Sequence, residues 1–165
     1  ASVLEALDIP WKISFQGTLY HQNQAQRVLN CLPETWKHKV VLSERSSAEI
    51  AFEEMCRANV LLLPSYQNLK GVPSSKLFEY IAARRTMLIF PGDQDIIDSI
   101  AARLTGALVC PNESELTQQI QKLASDWKNG KKLPVPSPEE TQAFSRKRQT
   151  ETLARLLEQM QADKA

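Results

Sequence analysis

The sequence lacks the features that mark several protein classes. Its three cysteines, Cys31, Cys56 and Cys110, are odd in number and widely spaced, which suits neither a disulfide framework nor a CxxC metal site. The longest apolar run, residues 60–63, is far shorter than the roughly 20 residues that span a bilayer, and no charged-then-apolar leader opens the chain. A reducing compartment and a cytoplasmic location are therefore expected.

An excess of charge of either sign is also missing. The 20 Lys and Arg residues nearly balance the 19 Asp and Glu residues, for a net charge of +1. Nucleic-acid binders usually carry a strongly basic face, so no nucleic-acid partner is expected. The two histidines, His21 and His38, have no cysteine or carboxylate neighbours at zinc-ligand spacing, and no metal site is predicted. The length suits one globular domain.

Short apolar segments alternate with helical patterns along the chain. Strands are predicted over residues 12–16, 39–42, 59–63, 86–90 and 107–110. Helices are predicted over residues 23–32, 47–57, 76–85, 94–104, 113–128 and 139–161. This alternation predicts an α/β fold, a parallel sheet of about five to six strands with helices on both faces.

The predicted domain organisation is simple. Residues 1–10 form a residual linker or the end of a helix, and a start at Ala1 without Met suggests a fragment of a longer protein. Residues 11–165 form one Rossmann-like domain. Its residues 129–138 have the composition of a linker, and its C-terminal helix over 139–161 places Leu153, Leu156, Leu157 and Met160 on one stripe.

The start of the helix predicted at residue 76 suggests an anion site. Ser74 or Ser75 can cap this helix, whose unpaired N–H groups and partial positive charge suit a phosphate or diphosphate, and Lys76 adds a full charge. Glu79 lies one turn further on the same side and can accept hydrogen bonds from the vicinal hydroxyls of a ribose. The alternative interpretation is an exposed Lys76–Glu79 ion pair without a ligand.

Several motifs together resemble one enzyme family. They are N-V-L-L-L-P-S over 59–65, K-L-F-E-Y-I-A-A over 76–83 and P-G-D over 91–93, with F-Q-G-T-L-Y, G-A-L-V and F-S-R-K-R-Q-T in the matching order. Over about residues 12–157 the chain resembles the C-terminal, donor-binding domain of retaining GT-B glycosyltransferases of the group-1 type (glycosyltransferase family 4). The resemblance implies the C-terminal half of a GT-B fold.

The resemblance also implies a function. The full enzyme would transfer a sugar from a UDP- or GDP-linked donor to an acceptor hydroxyl, as in polysaccharide biosynthesis. The nucleotide-sugar is a substrate, and no further cofactor is expected. The partner would be a missing N-terminal acceptor-binding domain, without which the fragment binds nucleotide weakly and transfers nothing. Peripheral association of the full enzyme with the inner face of the membrane is also compatible with the resemblance.

The family's donor-binding residues map onto six positions. By resemblance, Glu79 contacts the ribose, Ser74, Ser75 and Lys76 contact the diphosphate, and Gly17 with Thr18 lets the backbone approach the phosphates. Catalytic residues remain unassigned. Gly71 stands where many members have an acidic residue near the transferred sugar, and the loop after residue 16 lacks their Arg and Lys, so that Lys70 or Arg27 is a substitute candidate.

Two other functions remain open at this point. A sugar-nucleotide epimerase shares the two-domain plan and would also bind a UDP-sugar, releasing an isomer instead of a glycoside. A non-enzymatic, flavodoxin-like binding module would leave Lys76 and Glu79 as ordinary surface residues.

Overall fold

The computed structural model describes residues 2–66 and 70–162. Residue 1 of the predicted linker, residues 67–69 of the loop before the helix predicted at 76, and residues 163–165 of the predicted domain lie outside it. The strands are β1 Ile13–Phe15, β2 Val40–Leu42, β3 Val60–Pro64, β4 Thr86–Phe90 and β5 Ala107–Val109. The helices are α1 Ser2–Glu5, α2 Gln22–Asn30, α3 Ala48–Arg57, α4 Ser75–Ala83, α5 Ile96–Ala101, α6 Glu113–Lys128, α7 Pro138–Ala143 and α8 Arg146–Ala162. Two 3-10 turns occupy Thr18–Tyr20 and Glu34–Lys39.

The chain divides into two compact units. The first contains Ala1–Arg57 and Glu113–Lys132, and the second contains Ala58–Asn112 and Leu133–Ala165. The single Rossmann-like domain over residues 11–165 stays a prediction.

The first unit is built on the parallel pair β1 and β2, in register from Ile13 opposite Val40 to Phe15 opposite Leu42. Trp36 is buried at the end of this pair, with its ring centroid 4.8 Å from that of Trp11. The indole Nε1 of Trp36 donates a hydrogen bond to Glu5 at 3.0 Å, which satisfies the polar atom of a buried aromatic side chain. The indole thereby links the N-terminal segment to the 3-10 turn before β2.

The second unit contains the larger sheet. Strand β4 lies between β3 and β5, and both pairings are parallel. Met87, Leu88 and Ile89 of β4 are all buried, as expected for the central strand of a parallel sheet covered on its faces. Leu77 and Ile81 of α4 are also buried. Because a connection between parallel strands must run back along the sheet, α4 and α5 both begin at the carboxyl edge.

The predicted α/β class with parallel strands is confirmed, but a single sheet of five to six strands is not found. In the part of the chain that the structure describes, the strands form one sheet of two and one of three. Between β1 and β3 the chain has room for only one further strand, β2, with three residues. Strand β2 pairs with β1 over only three residues, and these two strands form a sheet of their own. The alternation of strands and helices therefore predicted more strands in one sheet than the structure has.

The predicted C-terminal helix over 139–161 is two helices. Helix α7 is capped by Ser137, whose hydroxyl accepts the N–H of Glu140. The Glu140 carboxylate accepts the N–H of Ser137 in return, which completes a capping box. After α7 ends, Ser145 accepts the N–H of Arg148 at 3.2 Å and starts α8. The apolar stripe predicted on α8 is more than half exposed at each position, Leu153, Leu156, Leu157 and Met160.

Part of the predicted linker is fixed against the sheet of the second unit. We call residues 133–137 the proline strap. The Thr86 hydroxyl, fully buried at the start of β4, donates to the carbonyl oxygen of Pro134 at 2.6 Å. The Arg84 Nε donates to the carbonyl oxygen of Pro136 at 3.0 Å. The strap therefore lies along the amino edge of this sheet, opposite the edge where α4 begins.

Arg84 follows the last residue of α4 in a left-handed conformation, with φ of 51°. This conformation is strained for a residue with a Cβ, and the strain can be measured. We expect Arg84→Ala to be roughly 0.5–1 kcal/mol less stable than Arg84→Gly, because both lose the bond to Pro136 but only alanine keeps a Cβ in the left-handed region. Urea unfolding of the two variants provides the measurement. Equal stability, or a more stable alanine variant, would contradict strain at this position.

Candidate nucleotide-binding site

The N-terminus of α4 carries the predicted residues that the structure brings together. Ser74 is extended and its hydroxyl accepts the N–H of Lys76 at 3.3 Å, so it is Ser74 and not Ser75 that caps the helix. Serine suits this position because its oxygen replaces one missing intrahelical partner. Ser75 is the first helical residue. With Leu77 and Ile81 buried beneath it, the helix presents its first turn at the carboxyl edge of the sheet.

Lys76 and Glu79 lie on the solvent side of α4. The Lys76 Nζ is 2.6 Å from a Glu79 carboxylate oxygen, and the two side chains are 51% and 42% exposed. An ion pair this exposed contributes little to stability because water screens it. Each charged group can therefore exchange its present partner for a ligand at small cost.

Tyr80 adds a neutral group beside this pair. Burial raises the pKa of Tyr80, while the opposing effects of the nearby Lys76 and Glu79 charges are smaller. The phenol consequently stays protonated at neutral pH. It adds no negative charge to the surroundings of the α4 N-terminus, where the sequence predicts an anion site.

The segment that follows β4 also lies at the carboxyl edge of the sheet. The Phe90–Pro91 peptide bond is cis, and the Ser65 hydroxyl donates to the carbonyl oxygen of Pro91. Asp93 is buried, and its carboxylate accepts the N–H groups of Asp95, Ile97 and Asp98 at 2.9–3.1 Å. The Asp93 carboxylate therefore binds N–H groups in the first turn of α5, whose N-cap position is Asp95.

Asp93 is held in its charged form. Burial alone raises its pKa, but the hydrogen bonds from the N–H groups of Ile97, Asp98 and Asp95 outweigh burial and place the pKa below the ordinary value of 3.8. Its oxygens are committed to the backbone. The carboxylate therefore fixes the loop rather than offering a base to a substrate.

Lys70 is already engaged by this loop. Its Nζ donates to the carbonyl oxygens of Asp93 and Gln94 at 2.6 and 3.3 Å. The next residue, Gly71, donates its N–H to a carboxylate oxygen of Asp95 at 2.6 Å. No spacing pattern predicts this contact, because Gly71 and Asp95 are separated by 24 positions in the chain. Arg27, the other candidate for neutralising phosphate, lies on α2 of the first unit.

The two remaining predicted residues belong to the first unit. Gly17 follows β1 with φ of 73°, and the space where a side chain would begin is open. Thr18 is buried, and its hydroxyl donates to the carbonyl oxygen of Phe15 at 3.1 Å, so the hydroxyl serves the turn. Gly17 offers an open backbone surface, as a close approach of phosphate requires.

Comparison with known proteins adds no family assignment. No family model, no curated protein and no solved structure matches the chain. Within residues 2–66 and 70–162, no three His, Cys, Asp or Glu side chains are grouped so that they could hold a metal ion. Among the helices of the same residues, none is long and apolar enough to cross a membrane. The resemblance to glycosyltransferases therefore rests on the motifs.

Proposed function

We propose that the chain is the nucleotide-sugar donor-binding domain of a glycosyltransferase that transfers a sugar from a nucleoside diphosphate to an acceptor hydroxyl. The observation that carries the proposal is the N-terminus of α4. There a serine-capped helix start, an ammonium and, one turn later, a carboxylate lie on one exposed side at the carboxyl edge of a parallel sheet. Rossmann-like folds bind nucleotides at this edge.

Each group has a role that fits its chemistry. The start of α4, where the Lys76 N–H is held only by the Ser74 hydroxyl at 3.3 Å, and the Lys76 ammonium would bind the diphosphate. Glu79 would accept hydrogen bonds from the ribose hydroxyls. During transfer, negative charge grows on the departing diphosphate. Fixed N–H groups and an ammonium stabilise that charge without rearrangement, which is electrostatic preorganisation. UDP and GDP are the expected nucleotides, bound by this chain weakly and without transfer.

Two variants test the proposal by NMR titration of the chain with UDP, GDP and inorganic pyrophosphate. UDP or GDP should shift the amide signals of residues 74–79. Glu79→Gln should weaken nucleotide binding about tenfold and leave pyrophosphate binding unchanged, because pyrophosphate has no ribose. Lys76→Met should weaken both nucleotide and pyrophosphate binding.

The chain offers a matched control for loss of a surface charge. Glu54 forms an ion pair with Arg57 at the same spacing and the same 2.6 Å distance as the pair on α4, with a similar exposed fraction. Glu54→Gln should leave the affinity for UDP unchanged. Absence of shifts at residues 74–79 with either nucleotide would reject the proposal in favour of a binding module for another ligand. Sugar transfer by the chain alone would contradict its assignment as a donor-binding part.

A further inference from the structure

The segment that leads into α4 is attached to a second loop by two contacts from consecutive residues. Lys70 donates from its ammonium to two backbone carbonyl groups, those of Asp93 and Gln94. Gly71 donates its N–H to the side chain of Asp95 at 2.6 Å. All three hydrogen bonds are charge-assisted, and such bonds are stronger than bonds between neutral groups. We call these contacts the 70–95 clamp.

The loop that receives the clamp is itself well fixed. The Asp93 carboxylate binds the backbone of Asp95 and of the first turn of α5. The Asp98 carboxylate accepts the N–H groups of Asp93 and Gln94 at 3.1 and 3.0 Å. A side chain at Gly92 would lie 2.7 Å from Asp98 and from Val109, so the loop packs closely against β5. The clamp thus ties the segment before α4 to a rigid partner.

The position of the clamped segment matters for the start of α4. Gly71 is only a few residues before the cap Ser74, with the conformationally restricted Pro73 between them. Its φ of 74° lies in the left-handed region, so the chain turns at this point. Without the clamp, residues 71–73 would be able to fold over the start of α4. A ligand would then have to order the segment as it binds, which lowers affinity.

We infer that Asp95 is a positioning residue for the nucleotide site, holding residues 70–74 open through the N–H of Gly71, with Lys70 as its partner in the clamp. The inference rests on the proposed function at α4 and adds a residue from outside the predicted set. Asp95 does not contact the ligand in this scheme. It acts by fixing the segment next to the helix start before the diphosphate arrives.

The test compares wild type, Asp95→Ala and Asp95→Asn with two measurements. Hydrogen exchange of the Gly71 amide in the ligand-free protein reports the clamp. NMR titration reports the site, with UDP or, where wild type binds only GDP, with GDP in its place. Asp95→Ala should accelerate Gly71 exchange about tenfold and weaken UDP binding about fivefold. Asp95→Asn keeps an oxygen acceptor and should stay within about twofold of wild type in both measurements. Lys70→Met should behave like Asp95→Ala.

The outcomes separate this inference from the proposed function. If wild type binds UDP and Asp95→Ala binds it equally well, the positioning role is wrong and the proposed function stands. If wild type binds neither UDP nor GDP, both fail, whatever the Gly71 exchange shows. If Asp95→Asn loses affinity as strongly as Asp95→Ala while its Gly71 amide exchanges at the wild-type rate, the charge itself matters and positioning through Gly71 is also rejected. Glu54→Gln serves as the control that should change neither measurement, and thermal unfolding verifies that each variant is folded.

Discussion

Gly106→Ala should destabilise the second unit by about 3–4 kcal/mol, one of the largest effects expected for a single added methyl group. A Cβ at this position would lie 2.2 Å from the Pro134 carbonyl oxygen and 2.6 Å from its carbon, atoms of a backbone that is itself bound by Thr86. Gly106 also has φ of 79°, which strains any other residue. The proline strap would have to move, leaving the buried Thr86 hydroxyl without its acceptor.

A matched variant separates the effect of this close approach to Pro134 from the effect of the positive φ. Gly71 belongs to the same unit and has φ of 74°, but a Cβ there would meet no atom within 4 Å. Gly71→Ala should therefore cost only about 1 kcal/mol, the strain of the left-handed region. Urea unfolding measures both variants. Similar losses in the two would show that the approach of the strap to Gly106 contributes nothing, and would contradict the packing described for the amino edge.

Asp93→Ala should lower the free energy of unfolding by about 3 kcal/mol, because it leaves three backbone N–H groups without their acceptor. Asp93 is only 4% exposed, so water does not replace the lost acceptor easily. Asp93→Asn should lower the free energy of unfolding by about half as much, because the asparagine amide keeps the shape and one oxygen but lacks the charge. Urea unfolding at neutral pH gives both values. Glu151→Gln on α8, where the ion pair to Arg148 is exposed and 3.6 Å long, is the control expected to change stability by less than about 0.5 kcal/mol.

The same carboxylate predicts a pH dependence. Because the pKa of Asp93 is lower in the folded state than its ordinary value of 3.8, the folded protein binds this proton less readily than the unfolded chain does. Its contribution to stability is therefore complete above that ordinary value and is lost as the pH falls through the folded pKa. The stability of Asp93→Asn should fall less steeply than that of wild type between pH 5 and about 3. Parallel pH profiles would contradict this assignment.

Local patterns predicted the elements of this protein well. The apolar runs at β3 and β4 depend on neighbouring residues and lie within one residue of the predicted bounds. The cap is Ser74, one of the two serines that the sequence predicted. The division of the strands between two sheets depends on contacts between distant segments and was not predicted. The same holds for the break before α8, since Ser145 in the middle of a helical pattern does not by itself distinguish a cap from an exposed helical residue.

The candidate site shows the same division. The arrangement of Ser74, Lys76 and Glu79 follows from helical spacing, which fixes which side chains share a side. The contact between Gly71 and Asp95 does not follow from any spacing, because two loops must first be brought to one edge of the sheet. Lys70 is the instructive case. Its charge suggested phosphate binding, whereas its ammonium is occupied by two carbonyl oxygens of the neighbouring loop.

The bond between Thr86 and Pro134 joins residues that are 48 positions apart. Chains leave the ribosome amino end first, so β4 emerges while its strap is still to be synthesised. Until residues 133–137 follow, the Thr86 hydroxyl and the surface of Gly106 are uncovered. A translation product that stops before the strap would leave this edge uncovered, and the second unit can complete its packing only after residues 133–137 have been synthesised.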